Sequence, residues 1–363
     1  MNHHTATHTQ ATRRPLTTTL TALTLTAALA GCVPGSSNED NAQGETPSTV
    51  TVVVHDSFQM SEEQQADFEK TSGYDLTIVT NGDGGALVNS LILTKDAPIA
   101  DAVFGVDNTF ASRGISEEVF APYTSEVASQ TSRDLALPGD DTLTAIDFGD
   151  VCLNVDPTWF ENHSLDVPAT LDDLADPAYR NLTVVTNPAT SSPGLSFLFA
   201  TIGKYGEDGY LDYWTQLKDN GLKIVDGWED AYYVDFTATG DGDRPIALSY
   251  ASSPAFTVTD DGSATTTSAL LDTCFRQVEY AGVLHGAANP EGAQAFIDYL
   301  LSEDYQTTIP DAMYMYPVAD TVELPDAWAQ FAPVPTTPIS LDPDTIARMR
   351  DTWIKDWSAQ IIG

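Results

Sequence analysis

The 363-residue chain sets 15 Lys and Arg against 53 Asp and Glu, a formal charge of −38. That balance excludes a nucleic-acid binder, because phosphate contacts need clustered basic side chains, and an apolar fraction of 42% excludes disorder throughout. The length suits two ordinary domains; the negative field favours cationic ligands, although acids spread along the whole chain fit an adaptation to salt better still.

Residues 1–31 read as a signal peptide, with Arg13-Arg14 as its basic start. Leu16 to Ala30 is a Thr-diluted apolar run, too short for a comfortable membrane span. Leu29-Ala30-Gly31-Cys32 resembles the lipobox of bacterial lipoproteins, which implies that Cys32 becomes a lipidated first residue. Residues 32–48, rich in Gly, Ser, Asn, Pro and acid, form a flexible tether. The folded part is thus expected outside the cytoplasmic membrane, held to its outer face by lipid. Two cysteines remain, Cys152 and Cys274, and outside the cytoplasm an even pair points to a disulfide. Neither has His partners at zinc-ligand spacing.

Val50 to His55 is an apolar β-branched run, a buried strand, with Asp56-Ser57-Phe58 as the loop at its carboxyl end. Ser61-Glu62-Glu63-Gln64 has capping-box spacing and opens a helix that ends near Gly73. Tyr74 to Thr80 is a second strand, followed by the turn Asn81 to Gly85. A helix over Ala86 to Lys95 leads to a third strand, Ala100 to Phe104, and then to Gly105-Val106-Asp107-Asn108. Strand and helix in alternation give a doubly wound α/β pattern, whose ligands sit outside the carboxyl ends of the strands. His55, Asp56, Ser57, Asp83, Asp107 and Asn108 all fall there.

Residues 147–156 read as an extended segment crossing to a second α/β unit. Lobe 1 is expected to comprise residues 49–147 with 277–320, and lobe 2 residues 148–276 with 321–363. In the second unit, helix starts at Leu171 and Leu211 flank a strand at Leu182 to Val185 and a helix over Leu195 to Gly203, and Leu222 to Val225 is another strand. Thr190, Ser191 and Ser192 lead into the helix at Leu195. Hydroxyls and free N–H groups at a helix entrance suit an anion; a plain capping role is at least as good a reading. Gly227-Trp228-Glu229-Asp230-Ala231-Tyr232-Tyr233 and the strand Pro245 to Tyr250, closing at Phe256, concentrate rings and small hydroxyls. That mixture suits a small, flat, partly cationic ligand, because a ring face attracts a cation; each ring alone reads equally well as core. A strand over Phe275 to Tyr280 returns to the first lobe. A helix over Glu291 to Leu301, a break at Pro310, and a final amphipathic helix over Asp342 to Ile361, with Trp353 and Trp357 as packing, complete the chain.

Asp56-Ser57-Phe58, Asp83-Gly84, Val106-Asp107-Asn108, Thr190 to Gly194, Gly227-Trp228, Leu248-Ser249-Tyr250, Ser253-Pro254-Ala255 and Met315-Tyr316-Pro317-Val318 occur in order over residues 50–360. Together they resemble the thiamine-binding proteins of bacterial ABC importers. The resemblance implies an α/β, two-lobe periplasmic-binding-protein-like (type II) fold with hinge-crossing strands. It also implies a monomer without cofactor or enzymatic activity, thiamine or its phosphate esters as ligand, and an ABC permease as partner. Carried over, it makes Trp228, Phe256, Tyr314 and the ring of His55 aromatic partners of the thiazolium, and Asp83, beside Gly84, the acceptor for the aminopyrimidine. Asp56 or Asp107 would orient loops or balance charge. Thr190, Ser191 and Ser192 would hold the hydroxyethyl or phosphate end, with Tyr250 donating to the same group. His55 stands where the family has tyrosine and Tyr314 where it has tryptophan. A protonated His55 would repel a cation, so affinity is expected to fall as the histidine titrates in mild acid.

Two other readings compete. A ferric-ion-binding protein on the same scaffold would use Tyr232-Tyr233 as phenolate ligands, with His55 and a carboxylate. An exported thiamine-cleaving enzyme would need an activated cysteine.

Overall fold

The computed structural model describes residues 48–363; the signal peptide, Cys32 and most of the tether lie outside them. Thr49–Val54 (β1), a Val-rich run with four fully enclosed valines, pairs in parallel with Asp75–Thr80 (β2) and Ala102–Asp107 (β3). β-Branched side chains fit a pleat covered on both faces, which is where parallel strands sit. Between them, Glu62–Ser72 (α1) begins at a capping box made by Ser61 and Gln64 and stops at Gly73, which takes the left-handed conformation at φ 79°. Gly84–Leu93 (α2) begins at Asp83, whose side chain caps it. This helix starts two residues before the expected Ala86, and β3 runs three residues past the expected Phe104. A bulge at Gly105 lets the strand resume pairing at Val106.

Ala111–Ser116 (α3), Phe120–Ala121 (β4) and Gln130–Asp134 (α4) lead into Leu143–Val155 (β5). Pro157–His163 (α5), Thr183–Thr186 (β6), Ser192–Tyr205 (α6), Tyr210–Asp219 (α7), Lys223–Val225 (β7) and Ile246–Tyr250 (β8) build a second parallel group. The chain then returns along Ser268–Leu284 (β9) and finishes with Pro290–Leu300 (α8), Glu303–Gln306 (α9), Ile309–Met313 (α10), Tyr316–Pro317 (β10), Asp326–Phe331 (α11) and Pro343–Trp357 (α12). As expected, Trp353 and Trp357 of α12 are packing residues: their rings meet Phe199 and Trp214 edge to face.

Among the described residues the strands form one sheet in the order β2-β1-β3-β9-β5-β8-β6-β7. The antiparallel ribbon of β5 and β9 is its spine. One end of the ribbon pairs with β3 and the other with β8, so these two long strands carry the chain between the two parallel groups. Cys152 and Cys274 are joined by a disulfide across this ribbon. It lies where the register jumps from Val151 opposite Phe275 to Leu153 opposite Leu270, so the bridge closes the neck of an extra loop in β9. Among the described residues no helix is long and apolar enough to cross a membrane.

Candidate functional site

The carboxyl ends of β1, β3, β6 and β8 converge on a cleft beside the middle of the ribbon. On one side stand His55, Ser57, Asp83, Gly84 and Gly105; on the other Ser192, Pro193, Trp228 and Tyr250. Gln277 and Glu279 of β9 form the floor, with Met313 and Met315 beside them. The walls are nearly in contact, and the cavity measures about 30 Å³. That is room for a water molecule or two, so any larger ligand enters only when the walls part.

Asp83 holds the walls together. Its Oδ1 accepts from the backbone N–H of Gly84 at 2.6 Å and of Ser192 at 3.0 Å, and its Oδ2 from that of Trp228 at 3.3 Å. The first donor opens α2; the other two belong to the opposite wall. A second link runs from the Ala86 N–H to the Thr190 carbonyl at 3.1 Å. Gly84 makes this approach possible, since a Cβ there would stand 2.1 Å from the Ser192 hydroxyl. Burial outweighs the three donors, and the Asp83 carboxyl is pushed up to about 6.

His55 is buried against Phe104, with ring centroids 5.6 Å apart. Gly105, at φ 99°, leaves room for it: a Cβ there would meet the imidazole at 2.1 Å. The Ser57 N–H donates to Nδ1 at 3.2 Å, which fixes the proton on Nε2, and Nε2 faces Glu279 Oε2 at 3.8 Å. Burial lowers the imidazole to about 4. The expected titration of His55 in mild acid is therefore corrected: desolvation keeps the ring neutral well below pH 6, and it brings no repelling charge there.

Trp228 is the main aromatic wall. Its Nε1–H donates to Ser249 Oγ at 2.9 Å, and Tyr232 stacks behind it at 5.3 Å and 14°. Tyr232 is thus a backing ring, buried and off the cavity surface, held in a π-helical turn over Asp230–Asp235. Tyr250 meets the edge of Trp228 at 6.0 Å and donates to Gln277 Oε1 at 3.4 Å. Phe256 and Tyr314 stack on each other at 3.5 Å and 15°, and Tyr314 reaches the edge of Trp228 at 5.7 Å. These two rings extend the aromatic cluster but do not line the cavity.

The remaining expected site residues are committed elsewhere. Asn108 continues the strand ladder, accepting from Val278 N–H at 2.9 Å and donating to the Arg276 carbonyl at 3.1 Å. Thr190 donates to the Asp226 carbonyl at 2.8 Å. Ser191 caps α6 and donates to Thr186 Oγ1 at 2.8 Å, so of these three hydroxyls only that of Ser192 reaches the cavity. Asp56, half-buried at the rim, is raised by burial. Asp107 is fully buried; its Oδ1 accepts from the N–H groups of Thr109 and Phe110. Gln277, Glu279 and Met313 are not singled out by the sequence analysis, and Met315 is named there only within a motif, without a place in the site. The signal for the first two was a Gln and a Glu at alternate positions, hence on one face, of the returning strand.

The sequence profile of the bacterial extracellular solute-binding proteins matches residues 97–336. The chain belongs to that family. As a solute-binding protein it is similar to the thiamine-binding periplasmic protein of Salmonella typhimurium, with 28% identity over 81% of this chain and 86% of that protein. It is also similar to the solved structure of a periplasmic thiamin binding protein, with a TM-score of 0.74 and 26% identity, covering 91% of this chain and 99% of the other. A ferric binding protein from Campylobacter jejuni shares the fold at a TM-score of 0.67 and 14% identity over 86% of this chain and 99% of its own. The solute-binding protein described here therefore has the two-lobe architecture of periplasmic binding proteins, and the β5–β9 ribbon crosses between its parallel groups.

Proposed function

We propose that this solute-binding protein captures thiamine, or its phosphate esters, outside the cytoplasmic membrane and delivers it to an ABC import permease. It would act as a monomer, tethered to the outer face of the membrane through lipid on Cys32, with lobe boundaries near residues 147 and 277. The observation that carries the reading is the opposition of an aromatic wall, Trp228 backed by Tyr232, to carboxyl groups inside the same cleft. A thiazolium has a permanent charge and no N–H or O–H to donate, so ring faces and nearby carboxylates are what can hold it. Asp83 would exchange its wall-to-wall N–H contacts for the aminopyrimidine amine as the lobes re-close. Ser192 would meet the hydroxyethyl or phosphate end.

The rival uses of the scaffold are less well supplied. The Tyr233 hydroxyl donates to that of Tyr314 at 3.0 Å, whereas the Tyr232 hydroxyl is buried behind Trp228; two phenolates do not share an open site. A thiamine-cleaving cysteine needs a free thiolate, and Cys152 and Cys274 are bridged to each other. Calorimetric titration with thiamine, its mono- and diphosphate, and ferric citrate tests the assignment. Saturable binding of at least one thiamine form, without product formation, is expected. A response to iron alone, with a tyrosinate absorption band, would overturn it.

A further inference from the structure

The middle of the crossing ribbon carries acid that its pairing does not require. Asp147 on β5 and Glu279 on β9 stand opposite each other in register, and both are buried. Glu279 Oε1 accepts from Gln277 Nε2 at 3.1 Å, but Glu279 Oε2 and both oxygens of Asp147 have no donor among the described residues. Glu279 is also part of the cavity floor. Two carboxylates side by side are both acceptors, so a hydrogen bond between them exists only while one keeps a proton.

The groups around the pair do not remove the need. His55 faces Glu279 from the end of β1 as a neutral ring. Asp107 from β3 and Asp83 from the start of α2 add negative charge. Tyr250 from β8 and Tyr305 from α9 bring phenols, the latter without a hydrogen-bond partner among the described residues. Two basic side chains near these acids pair with other carboxylates. Arg276 forms a two-pronged pair with Asp150 at 2.7 and 3.0 Å, and Arg350, which lies over the Phe110 ring near Asp107, pairs with Asp351.

We propose that the Asp147–Glu279 pair holds a proton until a cation enters the cleft, and that ligand capture is an exchange of that proton for the cation. The inference rests on the reading of the ligand as a cation such as thiamine. In the exchange one carboxyl O–H bond breaks, the proton leaves to solvent, and the resulting carboxylate balances the thiazolium, so the net charge of the cleft stays constant. Burial, then the charge of Asp107, raises Glu279 to about 8, and burial with the charge of Glu279 raises Asp147 well above the usual carboxylate range. Glu279 therefore keeps its proton at neutral pH and loses it as pH rises through about 8.

The test is calorimetry of thiamine binding at pH 7.0 in buffers of low and high ionisation enthalpy. The slope of observed enthalpy against buffer enthalpy is expected to give roughly one proton released, and affinity is expected to rise about tenfold between pH 7 and pH 8.5. Glu279→Gln, which keeps the shape of the protonated acid, is expected to remove both the proton release and the rise. Binding with a buffer-independent enthalpy at pH 7.0 overturns the exchange alone. Absence of thiamine binding overturns the capture reading and the exchange with it.

Discussion

Asp83→Asn keeps the outline of the side chain and removes its charge. Oδ1 accepts two backbone N–H groups at 2.6 and 3.0 Å and Oδ2 a third at 3.3 Å, yet the carboxyl sits at about 6 instead of 3.8. A raised carboxyl pKa means that the folded chain holds the proton more tightly than the unfolded one. Its contribution to stability is then full below pH 3.8 and is lost as pH rises through 6. A shift of that size corresponds to about 3 kcal/mol, and the partial contact of Asp83 with solvent at the rim reduces it to about 2 kcal/mol. An amide has no proton to lose. Its carbonyl can keep the Oδ1 contacts, while its NH₂ meets the Trp228 N–H at a cost of about 1 kcal/mol. The variant should be about 1 kcal/mol less stable than the wild type at pH 4 and about 1 kcal/mol more stable at pH 7.5, where the wild type carries the buried charge. Urea denaturation at both pH values, followed by tryptophan fluorescence, measures the difference. A stability difference that does not change with pH would refute the reasoning.

Other perturbations reach different parts of the site. Trp228→Ala should weaken thiamine binding by about 30-fold, the equivalent of one desolvated ring–cation contact of about 2 kcal/mol; Trp228→Phe should recover most of it, and equal losses in the two variants would contradict the ring's role. Replacing Cys152 and Cys274 by Ser opens a loop with a sequence separation of 122, which loop-closure entropy values at up to about 5 kcal/mol; an unchanged urea midpoint would show that the ribbon holds without the bridge. His55 should titrate near pH 4 by proton NMR, with nitrogen shifts reporting the proton on Nε2 throughout the neutral range. A midpoint near 6.5 would mean that the ring is open to water.

The turns at the strand ends were legible because parallel α/β geometry brings those ends together whatever the details of packing. His55, Ser57, Asp83, Gly84, Ser192, Trp228 and Tyr250 reach one cavity for that reason. The floor was not legible. Glu279 becomes a site residue only through the register that sets it opposite Asp147 and beside His55, and a register between strands separated by more than a hundred residues is not written locally. The roles of Tyr232, Phe256 and Tyr314 were equally hidden. Composition marks a ring as a candidate, but which ring faces the cavity and which stacks behind it depends on tertiary contacts and on the π-helical turn over Asp230–Asp235. The hydroxyls of Thr190 and Ser191 show the same limit: a serine that caps a helix and one that greets a ligand look alike in sequence.

The most direct test of charge recognition compares thiamine with an isostere whose thiazolium is replaced by a neutral ring, both titrated into the protein at pH 7.5. An aromatic wall over buried carboxyl groups predicts that the neutral compound binds at least about tenfold more weakly, a loss of about 1.4 kcal/mol. Equal dissociation constants for the two compounds would contradict it.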